Sequence, residues 1–303
     1  MRGYAILGPG GVGGLVAGAL ARSGAPVTVI APEATAAAIG RDGLRIRSVR
    51  LGDFAVRPRA VTRLDEPTGA LIVATKAPAL EGALERVATE PEVVVPLLNG
   101  LDHLARMRER FGDRAVAGSI RVESTRPAPG EIVHTSPYLK VEFASARAAR
   151  RAQLEPVAAD LRSAGIPAEV REDEAAVMWS KLARLVALGT VTSAAGKPLG
   201  PVRADPRWRA ALEDVVRETA AVARAEGAPA DIDATLAEIA DVHDDFRSSM
   251  QRDLEAGRTP ELDAIAGSVL RAGARHGIDC PTLAEVTAIV AARARMTPPV
   301  AAA

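Results

Sequence analysis

At 303 residues the chain is about twice the length of a usual single domain, so two domains are expected, each able to bury its own core. Its 38 Lys and Arg balance 38 Asp and Glu, which removes the case for a nucleic-acid or membrane-surface role, and a single cysteine, Cys280, excludes an internal disulfide framework or a cysteine metal cluster. Apolar residues at 48% are ordinary for a globular protein, while aromatics at 3% are few, so the apolar stripes are alanine-rich and element boundaries are approximate.

The first apolar run, Tyr4 to Leu7, is too short for a signal peptide or a membrane span, and a cytoplasmic location is expected. It ends in GPGGVGG and continues as LVAGALARSG, which reads as buried strand, glycine turn, helix and a stop at Gly24. PVTVIA follows as a second strand, and the LRI run at Leu44 to Ile46 and the FAV run at Phe54 to Val56 read as a hairpin or short strands. ALIVATK and VVVPLLNG are continuous β-rich runs on either side of a helical stretch around Leu80 to Val87. Continuous apolar strands alternating with helices imply a parallel sheet covered on both faces. From Ala115, the runs AVAGSIRVEST, EIVHTS and YLKVEFA are separated by Pro and Gly and are expected to extend that sheet as three short antiparallel strands. A helix from Arg147 leads to IPAEVRED, and beyond Asp173 the chain reads as helices punctuated by Gly, Pro and Asp. There is no internal repeat, and the tail MTPPVAAA reads as disordered.

Gly8, Gly10 and Gly13 stand in the spacing G-x-G-x-x-G, with Gly11 and Val12 inside it, between the first strand and the first helix. The first glycine permits a tight turn, the second lets backbone approach a pyrophosphate, and the third lets helix pack on strand. Glycine is common in this chain, so the position at the start of a βαβ unit, more than the pattern, argues for a bound dinucleotide. The expected fold class is therefore α/β: an N-terminal Rossmann-type dinucleotide-binding domain over residues 1–170, then an all-α domain over residues 171–303 serving substrate binding and dimerisation. Glu33 lies about twenty residues past the last glycine, where an acid bonds the ribose of NAD. Arg41 on the next helical stretch keeps NADP open, so the expected cofactor is NADH or NADPH.

Hydride reduction of a ketone leaves charge on oxygen, so such a site needs a positioned proton donor and groups that hold the substrate. Lysine is one such donor. In the second half, AVMWSKLARLVALGTVTSAAGKPLG, DFRSSMQRDLEAGRTPELDAIAG and RHGIDCPT resemble the C-terminal domain of ketopantoate reductases, and in the first half ALIVATKAPAL, PLLNGLDH and PAPGEIVHTSP resemble that family's lysine segment, asparagine loop and strand signature in the right order. The resemblance runs from about Tyr4 to Pro281. It implies that Lys181 is the general acid, that Glu261 bonds the substrate or orients the lysine, that Ser249 contacts the substrate carboxylate, and that Asn99 and Lys76 lie at the cofactor side of a cleft between the domains. Each also has a plainer reading. A helical lysine is usually solvated, Asn-Gly is usually a turn, and Glu261 after Thr259-Pro260 suits a helix first turn.

The sequence departs from the family where asparagines usually follow the lysine by one and two turns; Leu185 and Gly189 stand there instead. Their loss implies a more apolar, roomier pocket, with Arg184 available for a compensating carboxylate contact. The arginine that favours NADP at the end of the second strand is replaced by Ala31 or Pro32. His103, His134, His243 and His276 are too scattered for a metal site, and no nucleophile-elbow spacing points to a hydrolase. The expected function is NAD(P)H-dependent reduction of a 2-keto acid, 2-dehydropantoate to pantoate or a less polar relative. The alternatives are a dehydrogenase of the same superfamily acting on another hydroxy acid or specialised metabolite, and a non-catalytic dinucleotide-binding homologue. The Ala-rich helices are open to pairing as a homodimer.

Overall fold

The computed structural model describes residues 3–299, and the chain divides into two units. The first holds the residues up to Leu98 together with His103–Val177; the second holds Asn99–Asp102 and the residues from Met178 on. Of the tail read as disordered, residues 300–303 lie outside the described residues, while Pro299 Cβ lies 2.9 Å from where a Cβ on Gly267 would stand.

In the first unit, β1 (Tyr4–Leu7) is buried at every residue and lies at the centre of a parallel sheet. Around it run α1 (Gly11–Arg22), β2 (Val27–Ile30), α2 (Glu33–Asp42), β3 (Leu44–Ser48), β4 (Phe54–Val56), β5 (Arg59–Val61), β6 (Ala70–Val73), α3 (Leu80–Leu84), β7 (Val93–Pro96) and α4 (Asp102–Phe111). The sheet order is β5-β2-β1-β6-β7, so the chain runs outward from β1 in one direction and then in the other. The strand order therefore reverses beside β1, the position at which open parallel sheets bind ligands beyond their strand ends. The helix expected as far as Val87 stops at Leu84, after a tight 3₁₀ turn over Ala77–Ala79.

A second sheet corrects the expected extension. The three runs after Ala115 form two long strands, β8 (Ala117–Ala128) and β9 (Glu131–Ala144), joined as an antiparallel hairpin in a separate sheet with β3, β4 and β10 (Ala168–Arg171). On its other edge β9 pairs in parallel with β3 over Glu131 to His134 and with β10 over Val141 to Ala144. Pro127 and Pro137, which read as breaks in sequence, are absorbed where the β8–β9 register slips between Thr125 and Ala128 and between Val122 and Ser124. The side chain of Ser136 fills the latter slip, accepting from Glu123 N and donating to Tyr138 O, each at 3.0 Å.

Helix α1 explains why two sheets share one core. It is buried at every residue from Gly13 to Leu20, as a helix apolar all round must be. A Cβ on Gly11 would meet Ser124 O at 2.2 Å, one on Gly14 would meet Ile132 Cδ1 at 2.4 Å, and one on Gly18 would meet Ile46 Cγ1 at 2.8 Å. These glycines form the stripe on which β8, β9 and β3 rest. The covering helix α5 (Ala148–Ser163) then leads into β10.

The second unit is helical: α6 (Glu174–Ala195, whose first turn still belongs to the first unit), α7 (Leu199–Ala204), α8 (Pro206–Ala225), α9 (Ile232–Ala240), α10 (Ser249–Glu255), a π turn over Asp263–Gly267, α11 (Ser268–Arg275) and α12 (Pro281–Ala294). Asp205, Asp231 and Ser248 cap α8, α9 and α10 by accepting backbone amides. Cys280 cannot cap α12, and Glu218 of α8 accepts from Thr282 N and Leu283 N at 2.9 and 2.8 Å instead. Burial, with Glu218 and Asp279 nearby, pushes the Cys280 thiol up to about 11, which keeps it an unreactive core residue. No described helix is long and apolar enough to cross a membrane.

His134, 1% exposed, faces Ser48 across the β3–β9 pair at 2.8 Å. Ser48 Oγ already accepts from Arg50 N and Leu51 N, so its proton goes to His134 Nδ1 and the imidazole is neutral with Nε2–H directed at Tyr138 O. Burial holds the His134 pKa below the ordinary value of 6.5. The unfolded chain therefore binds more protons as pH falls below that value, and the stability from neutral His134 is present above it and lost beneath it. Denaturant unfolding is expected to show a loss of stability between pH 7.5 and pH 5, and His134→Gln is expected to flatten that dependence; an unchanged slope in the variant counts against this account.

Candidate active site

Helix α6 carries Lys181 between Trp179 and Leu182, which are 3% and 2% exposed. The lysine is half-buried, and its Nζ donates to Asn99 Oδ1 at 2.8 Å. Asn99 in turn donates from Nδ2 to Glu261 Oε2 at 3.1 Å. Three residues separated by 82 and 162 positions in sequence thus form one hydrogen-bonded row within the second unit. The carboxamide can sit only one way round: reversed, it would set its NH₂ against the ammonium and its oxygen against the carboxylate.

The loop that presents Asn99 is held closely. Gly100 has φ +87, and a Cβ there would stand 2.0 Å from Ala264 O in the π turn that follows Glu261. At the other end of the stretch, Asp102 Oδ2 accepts from Arg271 Nη2 at 2.6 Å. The Asn-Gly pair is a turn, as its plainer reading holds, and that turn is what brings Asn99 to Lys181.

Other residues singled out from sequence take varied places. Leu185, half-buried, and Gly189, buried, follow Lys181 at successive four-residue steps. The space over Gly189 is closed by Met250, whose Cε lies 3.6 Å from where a Cβ would stand. Arg184 lies 3.9 Å from Glu238 on α9, so a compensating contact to a carboxylate would compete with that acid. Ser249 is exposed at the first residue of α10; its neighbour Ser248, not singled out in sequence, is buried, caps α10 and lies 3.1 Å from Thr192 Oγ1. Thr190 and Thr192 return their hydroxyls to Val186 O and Leu188 O, which satisfies them inside an apolar helix.

In the first unit, Gly8 has φ +89 and turns the chain from β1 toward α1. A Cβ on Gly13 would lie 2.3 Å from Gly8 O, so the third glycine lets the helix start against the turn. Gly10 caps α1 and has nothing within 4 Å of where its Cβ would stand, leaving the amides of the helix N-terminus open to a ligand. Beside this turn Thr75 Oγ1 is buried without a hydrogen-bond partner, and its methyl lies 2.8 Å from where a Cβ on Gly8 would stand. Open amides and an orphaned hydroxyl are what a phosphate-bearing ligand would satisfy, so the turn fits a dinucleotide. Gly11 and Val12 are half-buried in the first turn of α1; Glu33 is exposed as the first residue of α2, and Lys76 is exposed just past β6. Among the described residues, no group of three or more His, Cys, Asp and Glu is placed to hold a metal ion.

Gly100→Ala is expected to cost about 2 kcal/mol or more, because the added carbon meets a carbonyl oxygen in a backbone conformation that L residues avoid. Thermal denaturation checks this, and an unchanged melting temperature would show that the 99–102 stretch is not held as described.

The family model described as "Ketopantoate reductase PanE/ApbA" matches residues 4–147, and that described as "Ketopantoate reductase PanE/ApbA C terminal" matches residues 174–294. An uncharacterized oxidoreductase, YkpB, of Bacillus subtilis is 29% identical over 94% of this chain and 96% of its own length. A 2-dehydropantoate 2-reductase of Caulobacter vibrioides is 29% identical over 97% of this chain and all of its own. Among solved structures, a 2-dehydropantoate 2-reductase from Geobacter metallireducens superposes with a TM-score of 0.86 at 26% identity, covering 95% of this chain and 98% of that one. D-mandelate dehydrogenase, solved with NADH and anilino(oxo)acetate, shares the fold with a TM-score of 0.86 at 21% identity, covering 96% and 98%.

Proposed function

This chain belongs to the ketopantoate reductase family of NAD(P)-dependent oxidoreductases, and on that premise we propose that it reduces the keto group of a 2-keto acid, with Lys181 as proton donor. The observation that carries this reading is the row Lys181–Asn99–Glu261. Glu261 accepts from the amide, which turns the amide oxygen toward Lys181; that oxygen accepts one ammonium proton and aims the lysine. Lys181 Nζ then gives a proton to the carbonyl oxygen of the substrate as charge develops there. The turn at Gly8, Gly10 and Gly13 would hold a reduced nicotinamide dinucleotide, which would supply hydride for the carbonyl carbon, so that with the proton from Lys181 the product is the 2-hydroxy acid. In this reading Ser249 and Arg184 receive the substrate carboxylate, with Arg184 exchanging its loose pairing to Glu238 for the ligand.

Residues 1–170 would serve as the dinucleotide domain and residues 171–303 as the substrate domain, a surface for homodimer formation included. Gly8, Gly10, Gly11, Val12 and Gly13 would hold the pyrophosphate, with Lys76 and Asn99 toward the nicotinamide. Glu33 supports NADH over NADPH, since a carboxylate at the start of α2 accepts ribose hydroxyls and repels a 2′-phosphate. Leu185 and the Met250 thioether over Gly189 favour a substrate less polar than 2-dehydropantoate. That apolar face also supports the second reading, a family member acting on another hydroxy or keto acid.

Steady-state oxidation of NADH and of NADPH with 2-dehydropantoate and a panel of apolar 2-keto acids tests both. Lys181→Ala is expected to lower kcat/KM for the best substrate by about 10²- to 10⁴-fold with dinucleotide affinity retained. Undiminished turnover in that variant would remove Lys181 from the chemistry, and tight dinucleotide binding with no turnover of any keto acid would favour a non-catalytic role. Gly10→Ala separates binding from folding. Its Cβ enters open space, so the melting temperature is expected to hold while dinucleotide affinity, read by NADH fluorescence, falls by about tenfold or more; unchanged affinity would place the pyrophosphate elsewhere.

A further inference from the structure

The row through Asn99 depends on a stretch of four residues, Asn99–Asp102, that belongs with the helical unit although the chain on both sides of it belongs with the other. Something must hold it there. Gly100 allows the stretch to lie against Ala264 O but adds no attraction of its own. Asn99 itself is bonded to Lys181 and Glu261 at the near end, and at the far end the attractive contact is made by Arg271, on α11. Its Nη2 donates to Asp102 Oδ2 at 2.6 Å, while its Nη1 donates to Asp263 Oδ1 at 2.7 Å and Nη2 also reaches Asp263 O at 3.2 Å. One planar fork thus joins the far end of the stretch carrying Asn99 to the π turn that begins two residues after Glu261. An ammonium group would replace it only in part, keeping the charge but not the diverging donors that a guanidinium holds in a fixed plane.

We propose that Arg271 is a positioning residue for the reaction: it fastens Asn99–Asp102 to the π turn so that the Asn99 carboxamide stays between Lys181 and Glu261. The argument rests on the reading of Lys181 as proton donor. The two acids are 49% and 62% exposed in their side chains, so as surface ion pairs they contribute little stability. Their effect is geometric. Both the carboxylate and the carbonyl of Asp263, the first residue of the π turn, accept from the same guanidinium, and such turns are frequent at functional sites. A purely structural ion pair and a positioning residue make different predictions, since only the second acts through Asn99.

The test is a double-mutant cycle of Arg271→Met with Asn99→Ala, assayed on the best keto-acid substrate. Arg217→Met serves as control, because Arg217, on α8, is likewise paired to two acids, though its side chain is 50% exposed against 23% for Arg271. Arg271→Met is expected to lower kcat by roughly tenfold, through displacement of the carboxamide, with smaller change in KM. NADH affinity by fluorescence and the folded fraction by circular dichroism are expected to hold. The double variant is expected to be no slower than Asn99→Ala alone, within about twofold, because residues that act through one another are not additive. Arg271→Lys is expected to restore part of the loss, and Arg217→Met to change nothing. Multiplying losses in the double variant, or a loss in Arg271→Met that follows only the folded fraction, would overturn the proposal. Should Arg271→Met fail to fold, Asp102→Asn and Asp263→Asn enter the same cycle with the same non-additivity expected, and additivity there is equally fatal. Full activity in Lys181→Ala would instead remove the reading on which the proposal rests, so the two failures are distinguishable.

Discussion

A carboxamide offers an acceptor and a donor from one rigid plane, and Asn99 spends both on opposite charges: its oxygen on the Lys181 ammonium and its NH₂ on the Glu261 carboxylate. Either contact alone would leave the amide free to turn over. Together they fix its sense, because the reversed amide would repel at both ends. The rest of the helical unit can be understood from this demand. Helix α6 must bring a lysine out of an apolar setting between Trp179 and Leu182, the chain must turn back at Gly100, and the segment after Glu261 must come close enough that even one extra carbon at Gly100 would meet its backbone.

A comparable demand governs the first unit, where α1 must serve a ligand with its N-terminus and two sheets with its sides. Glycine is a poor helix former, by about 1 kcal/mol per residue against alanine. Helix α1 nevertheless carries Gly11, Gly14 and Gly18, and each admits an atom of β8, β9 or β3 that a methyl group would exclude. Packing between sheets offsets the weak local preference. The familiar motif positions Gly8, Gly10 and Gly13 form the turn, while this second set of glycines forms the seat of the second sheet.

Four strands of the first sheet were legible because they are continuous apolar runs divided by glycine and helical stretches, and Tyr4–Leu7, Val27–Ile30, Ala70–Val73 and Val93–Pro96 all fall inside them, while the edge strand β5, three residues beginning with an exposed arginine, carries no such run. The second sheet was not. Pro127 and Pro137 ordinarily end strands, and only the register slips along β8 and β9 let 12 and 14 residues run through them. At the site, Lys181, Asn99 and Glu261 were found through motifs resembling a family, since no local pattern announces that residues 82 and 162 positions apart will touch. Arg271 and Asp102, 169 positions apart, lay outside those motifs' named roles and carry no signal beyond being charged. Ser249 was named through the same resemblance, whereas the capping role of its neighbour Ser248 shows only in the structure, where Ser248 accepts the Gln251 amide.

The placement of Asn99–Asp102 also bears on how this chain can be divided or recombined. Because the polypeptide enters the helical unit for four residues and leaves again before entering it for good at Met178, a cut at that boundary does not yield two self-sufficient halves. A fragment beginning there would contain Lys181 and Glu261 but lack the amide between them, and a chimera joined there to another member's N-terminal half would inherit that member's asparagine loop. In exchange of halves among relatives, the pairing of Asn99 and Asp102 with Arg271 and the π turn would travel on two separate stretches of gene and would have to be matched deliberately.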